Sequence, residues 1–297
     1  MTGLTRKQTA AYLMFLILMW GINWPLSKYA LNFTPPVLFA GLRTLIGGLL
    51  LIAIALPRWR KLRFKENWLI YVVSALLSIV FYYGFQTVGL QYMPAGIFSA
   101  IVFLQPVLLG LFAWLWLGEG MNGLKLVGLL LGFAGVAAMS VGGLEGGMSA
   151  AGIVLALLSA LSWALGTVYN KKMAPKVDML WMTAMQITIG GVVMLVYGSF
   201  AESWSAIDWA APFIWDTAFI SVFVIALGWS VYFKLNGSGE ASKVASYTFL
   251  IPVVSVIVSV LFMNEHITAN LVVGFALIVA SILLVNAKTG KLKEAAS

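Results

Sequence analysis

Leu104-Gln105-Pro106-Val107-Leu108-Leu109-Gly110-Leu111-Phe112-Ala113-Trp114-Leu115-Trp116-Leu117-Gly118-Glu119 is an apolar run closed by a Gly-Glu pair, and nine positions after Glu119 comes Gly128 inside a second apolar run. The chain repeats this stretch. A run through Pro252 ends in Phe262-Met263-Asn264-Glu265 and reaches Gly274. Proline and glutamate are 13 positions apart in both copies, and glutamate and glycine 9 apart in both. Two coincident spacings around rare residues in an apolar background mark an internal duplication.

Working outward, Trp20 and Lys28 are 8 positions apart, as are Trp163 and Lys171, at a constant offset of 143. The same offset sets Arg43-Thr44-Leu45-Ile46-Gly47-Gly48 on Gln186-Ile187-Thr188-Ile189-Gly190-Gly191. The proline–glutamate helices match at an offset of 146, so three residues were gained between. Leu144-Glu145-Gly146-Gly147 is the natural midpoint, dividing the chain into residues 1–144 and 145–297.

Hydrophobic residues make up 62% of the 297 and charged residues 9%, and the mean hydropathy is +0.98. A soluble domain carries roughly 25% charged residues. The apolar residues fall into ten runs near 11–31, 36–57, 67–90, 95–117, 123–141, 150–171, 178–200, 212–235, 242–262 and 268–287. Such runs suffice to cross a hydrocarbon core of about 30 Å. Period-two alternation is absent, so the expectation is an all-α membrane protein of ten transmembrane helices. Five helices per half is an odd number, so the two five-helix repeats must be inverted relative to one another. That architecture belongs to secondary transporters, with the substrate near the midplane between the repeats.

The net charge of +8 is explained by position. With the N-terminus in the cytoplasm, 16 of the 18 basic residues fall in cytoplasmic segments, among them Arg58, Arg60, Lys61, Arg63 and Lys65. The exceptions, Lys28 and Arg43, lie within helices. This positive-inside pattern predicts cytoplasmic termini in an inner (plasma) membrane and removes any need for a nucleic-acid partner. Arg6-Lys7 before an apolar run resembles a signal peptide, but the run is long, lacks a small-x-small cleavage site and belongs to the repeat, so it reads as helix 1.

With no cysteine and a single histidine, His266, thiolate sites and triads are excluded. There is no Gly-Lys-Ser/Thr phosphate loop and no His-Glu-x-x-His, which argues against an enzyme or an ATP-driven pump, and no cofactor or metal is expected. The expected partners are a small-molecule substrate and the lipid bilayer, with the chain acting as a monomer.

The basic loop after helix 2, Gly41-Leu42-Arg43, and Gln105-Pro106…Leu117-Gly118-Glu119 with its echo at Pro252…Glu265 resemble the drug/metabolite transporter superfamily. More narrowly they resemble the ten-helix EamA family, each half corresponding to one repeat. The resemblance implies ATP-independent export of small metabolites, often amino acids, through a central cavity by alternating access. The second half departs from the pattern at Asn264 and Gln186.

Candidate substrate-binding residues follow from polarity at membrane depth. A buried Arg in a membrane marks an interior position. The Arg43 fork either binds a substrate carboxylate or serves a structural role, paired with helix-end carbonyls or an acid. Trp20, Asn23, Trp24, Ser27 and Lys28 share one face of helix 1, where Pro25 removes a backbone hydrogen bond; Lys28 is placed either to snorkel or to touch substrate. Tyr82, Tyr83 and Gln86 in helix 3, Gln105 in helix 4, Trp163 in helix 6, Gln186 in helix 7, Trp229 and Tyr232 in helix 8 and Tyr247 in helix 9 complete the set. Singly such aromatics are packing residues; together, from both halves, they suit a flat or amphipathic molecule. An organic cation is the competing substrate, disfavoured by the scarcity of intramembrane carboxylates, and a non-transporting scaffold is the weaker alternative. Glu119 and Glu265 read as helix-end anchors, Asp216 as a proton carrier or partner for Arg43, and His266 as a solvated loop residue.

Overall fold

The computed structural model describes residues 5–118, 123–143, 149–237 and 250–286, and every long element in them is helical. In chain order these are α1 (Arg6–Ala30), α2 (Pro36–Lys61), α3 (Phe64–Gly89), α4 (Ala95–Leu117), α5 (Gly123–Gly143), α6 (Ala150–Met173), α7 (Met179–Ala201), α8 (211–237), α9 (Leu250–Met263) and α10 (Ala269–Asn286). Seven of them, α1–α4 and α6–α8, are long and apolar enough to cross a membrane. The other three carry shorter apolar stretches, Gly123–Ala138, Leu250–Met263 and Ala269–Leu284, so spanning length is met by seven of the ten expected spans. Glu119, Glu145, Ser246 and Tyr247 lie outside the described residues.

Two helix pairs knit the halves. α2 packs along α7 and α5 along α10. At the first seam a Cβ on Gly48 would stand 2.7 Å from the Thr188 backbone nitrogen, and one on Gly191 2.6 Å from that of Leu45. Only glycine permits that approach, the small-residue packing on which membrane helices rely. Between the seams α1 packs on α9 and α8, and α6 on α4 and α3. These are the same contacts with the repeats exchanged.

Three local departures shape the interior. The sequence predicts a continuous helix over 95–117, but α4 breaks at Phe103-Leu104 into Ala95–Val102 and Gln105–Leu117. Pro106 lacks an N–H, which only the first turn of a helix can spare, so it sits at the opening of the second segment instead of inside one continuous helix. α3 and α8 each contain a π-helical stretch, Leu76–Phe81 and Ile220–Leu227, at matching places in the two repeats. The loosened backbone receives side-chain donors from neighbouring helices: the Trp20 indole N–H donates to the Val224 carbonyl at 3.2 Å, and the Ser162 hydroxyl to that of Leu77 at 2.7 Å. α1, by contrast, runs unbroken through Pro25 and begins earlier than predicted, because Thr5 and Gln8 form a capping box.

Candidate functional site

α1 supplies the floor of the site. Trp20, Asn23, Trp24 and Ser27 are all buried on one face. Trp20 meets Trp229 and Tyr232 of α8 in tilted ring contacts at separations of 5.2 and 5.5 Å. From α3, Tyr82 lies 5.2 Å from Trp163 of α6 and 4.6 Å from Tyr83. Phe103, at the break in α4, meets Trp163 edge-on at 5.8 Å. Trp20, Asn23, Trp24, Tyr82, Tyr83, Phe103, Trp163 and Trp229 thus surround an aromatic chamber at the meeting of both repeats, with only about 20 Å³ of free space.

Trp163 and Trp229 also form the inner end of a larger cavity of about 550 Å³. Its walls include Tyr232, Thr167, Asn170 and Gln186, and its mouth carries Arg58, Lys171 and Asp178. Gln105 does not line either space; its amide donates to the Thr167 hydroxyl at 3.4 Å, behind the wall.

Arg43 is fully buried on the far side of the aromatic chamber. Its Nη1 donates to the Ser27 hydroxyl at 2.6 Å and to Asn23 Oδ1 at 3.4 Å. The guanidinium lies between the Phe39 and Tyr83 rings, 4.9 Å from each centroid. Such cation–π contacts stabilise by up to about 2 kcal/mol when desolvated. Arg43 Nε and Nη2, both carboxylate oxygens of Asp216 and both amide atoms of Gln86 are buried without a hydrogen-bond partner among the described residues. Asp216 interacts electrostatically with Arg43, but the two form no ion pair within 4.0 Å. The structure therefore gives Asp216 the partner role anticipated from sequence at a distance only. Gln86, expected to face the cavity, is packed away from both spaces.

Gln186, at the repeat position of Arg43, has a parallel setting. Its Oε1 accepts from the Ser74 hydroxyl and from Asn170 Nδ2, the latter at 3.2 Å. Asn170 lies at the offset of 143 from Ser27, a correspondence that would have revealed it in the sequence. The Lys28 ammonium donates to the Met93 carbonyl at 2.7 Å and lies 4.0 Å from Glu265. Glu265, just after α9, accepts from the backbone N–H groups of Ala95 and Gly96 at 2.6 and 3.1 Å. His266 is exposed, as expected of a loop residue.

A multi-pass helical membrane protein with two knit repeats around a shared aromatic chamber is built as a transporter. The chain belongs to the EamA-like transporter family, whose model matches residues 8–141 and again 150–287. It is 61% identical to the uncharacterized transporter YvbV of Bacillus subtilis strain 168 over 100% of this chain and 97% of that one. It is 27% identical to the uncharacterized inner membrane transporter YedA of Escherichia coli K12, over 91% of this chain and 88% of that one. A WAT1-related chloroplastic protein of Arabidopsis thaliana is 30% identical over 91% of this chain and 67% of its own. A solved crystal structure shares the fold with a TM-score of 0.71 at 20% identity, covering 99% of this chain and all of the other.

Proposed function

We propose that the protein exports a small carboxylate-bearing metabolite, such as an amino acid, across the inner (plasma) membrane by alternating access. One observation carries the substrate class. Arg43 is a buried guanidinium with two donor nitrogens unsatisfied among the described residues, in contact with Tyr83 and Asn23, which line the aromatic chamber. A carboxylate would satisfy such a fork bidentately, and the aromatic walls suit an apolar or flat side chain. The wide cavity at the basic-loop end is the cytoplasmic entrance, with both termini on that side. The positive-inside distribution supports this orientation. Reporter fusions after residues near 62 and 145 should read inside and outside respectively, and an outside signal at 62 would reverse it.

A second reading has its own observation, the unpartnered Asp216 carboxylate, which would suit an organic cation. A thermal-shift screen of purified protein against amino acids, nucleosides and quaternary amines separates the two. A ligand at about 100 times its Kd stabilises by about 2.7 kcal/mol. The expected result is that amino acids raise the melting temperature of the native protein and fail to do so for Arg43→Gln. A response to quaternary amines that disappears in Asp216→Asn would replace the carboxylate reading with the cationic one.

A further inference from the structure

On the face of the protein opposite the cavity of about 550 Å³, contacts run between the repeats. α2 and α4 both start at that face, each behind a proline, Pro35 and Pro94, that makes no side-chain cap. Their first N–H groups are taken by carboxylates of the other repeat. Glu202, just after α7, accepts from Val37 and Leu38 at 3.0 and 2.7 Å. Glu265, just after α9, accepts from Ala95 and Gly96 at 2.6 and 3.1 Å. Lys28, bonded to the Met93 carbonyl, stands beside Glu265. The Asp208 N–H adds a strand of backbone bonding to the Phe33 carbonyl at 2.7 Å.

The other helix starts with side-chain caps are different. α1, α6 and α7 are capped by their own Thr5, Ser149 and Asp178. A self-cap travels with its helix, whatever the repeats do. A carboxylate from the opposite repeat caps only while that face is closed, and opening the face returns orphan N–H groups and a bare carboxylate to solvent. Charge-assisted bonds of this kind are stronger than neutral ones, and the two sets occur together at the face where α2 and α4 begin.

We propose that Glu202 and Glu265 are paired latches that hold this face shut, and that their release from α2 and α4 exposes the Arg43–Asp216 region. The need for the face to open rests on the alternating-access reading above. The latches themselves require no substrate identity, and neither does their test.

The chain contains no cysteine, so spin labels can be placed without removing any native residue. One pair, Tyr92→Cys with Ile267→Cys, uses exposed sites across the latched face. A second, Arg60→Cys with Lys172→Cys, uses exposed sites at the open face. Electron–electron distances are measured in nanodiscs with no ligand added. Glu202→Ala with Glu265→Ala should raise the long-distance fraction of the first pair severalfold and shorten the second, as a population shift requires. Glu202→Gln with Glu265→Gln keeps an acceptor oxygen without the charge and should fall between native and alanine proteins. An unchanged first-pair distribution in a doubly substituted protein with native-like melting would overturn the proposal. Should the alanine protein not fold, the glutamine protein decides: a partial opening supports the latches, and native distances refute them. If latch opening is seen while no carboxylate ligand is ever found, the latches stand and the substrate assignment falls.

Discussion

The two repeats place a polar residue at the same point of α2 and α7, and the two settings differ in one respect. Arg43 is held by Ser27 of its own repeat, with Asp216 approaching from α8 of the other. Gln186 is held by Asn170 of its own repeat and by Ser74 from α3 of the other. Each is a three-helix polar cluster built by the same inverted contacts. Both side chains are buried, but Gln186 borders the cavity of about 550 Å³ and Arg43 lies behind Tyr83. A neutral amide is compensated by the bonds that Ser74 and Asn170 supply. A guanidinium in a sealed membrane interior needs rings, hydroxyls and a nearby carboxylate, and it has all three. The duplication thus preserved the scaffold while concentrating charge in one copy.

The shared frame is the α2–α7 seam, and breaking it should have the largest effect. Gly48→Val or Gly191→Val places carbon within van der Waals overlap of backbone on the facing helix, which cannot move aside as a side chain would. Neither variant is expected to yield a monodisperse protein after detergent extraction. Normal yield and melting would show that the seam is looser than the glycines imply.

Arg43 comes next. Arg43→Ala empties the space between Phe39 and Tyr83 and removes the donor to Ser27 and Asn23, a loss on the order of 3 kcal/mol for a large buried side chain cut to alanine. Arg43→Gln makes the repeats alike and leaves an acceptor and donors for Ser27 and Asn23. It should melt within a few degrees of the native protein yet lose amino-acid uptake into liposomes. Native uptake by Arg43→Gln would end the role of Arg43 as a ligand, and unfolding would make it purely structural. On the Gln186 side, Ser74→Ala removes a neutral hydroxyl shared between Gln186 and Asn170 while Asn170 still bonds Gln186, and should cost only about 1 kcal/mol.

Much of this is legible in the sequence, and particular residues show why. The repeat offsets located the seam glycines, both members of the Arg43/Gln186 pair and the α1 face, because each depends on residue identity at fixed spacing. The π-helical stretches were not legible, since Leu76–Phe81 and Ile220–Leu227 are uniformly apolar runs whose backbone is set by what packs on it. The α4 break hides likewise in an apolar run, with Pro106 its only mark. Glu202 and the cap role of Glu265 were invisible for another reason. A carboxylate bonded to a helix start some 165 residues away in the chain leaves no local pattern.

The smallest effect is expected where the repeats differ in residue but agree in backbone. Gly118 closes α4 with φ 69°, and Asn264 follows α9 with φ 54°. Both are in the left-handed region, where glycine carries no penalty and asparagine is the side chain that tolerates it best. The family pattern places glycine before the glutamate, so Asn264 looks like a departure in sequence while it reproduces the same turn in space. That turn aims Glu265 at the start of α4. Asn264→Gly should therefore be nearly silent, within about 0.5 kcal/mol, while Asn264→Ala should cost about 1 kcal/mol, because alanine keeps the crowding Cβ and loses the short amide that lets asparagine tolerate this conformation. Melting curves of the two variants in one detergent supply the check. If Asn264→Gly fell as far as Asn264→Ala, the asparagine side chain would be making a bond that glycine cannot replace, and the two turns would not be equivalent.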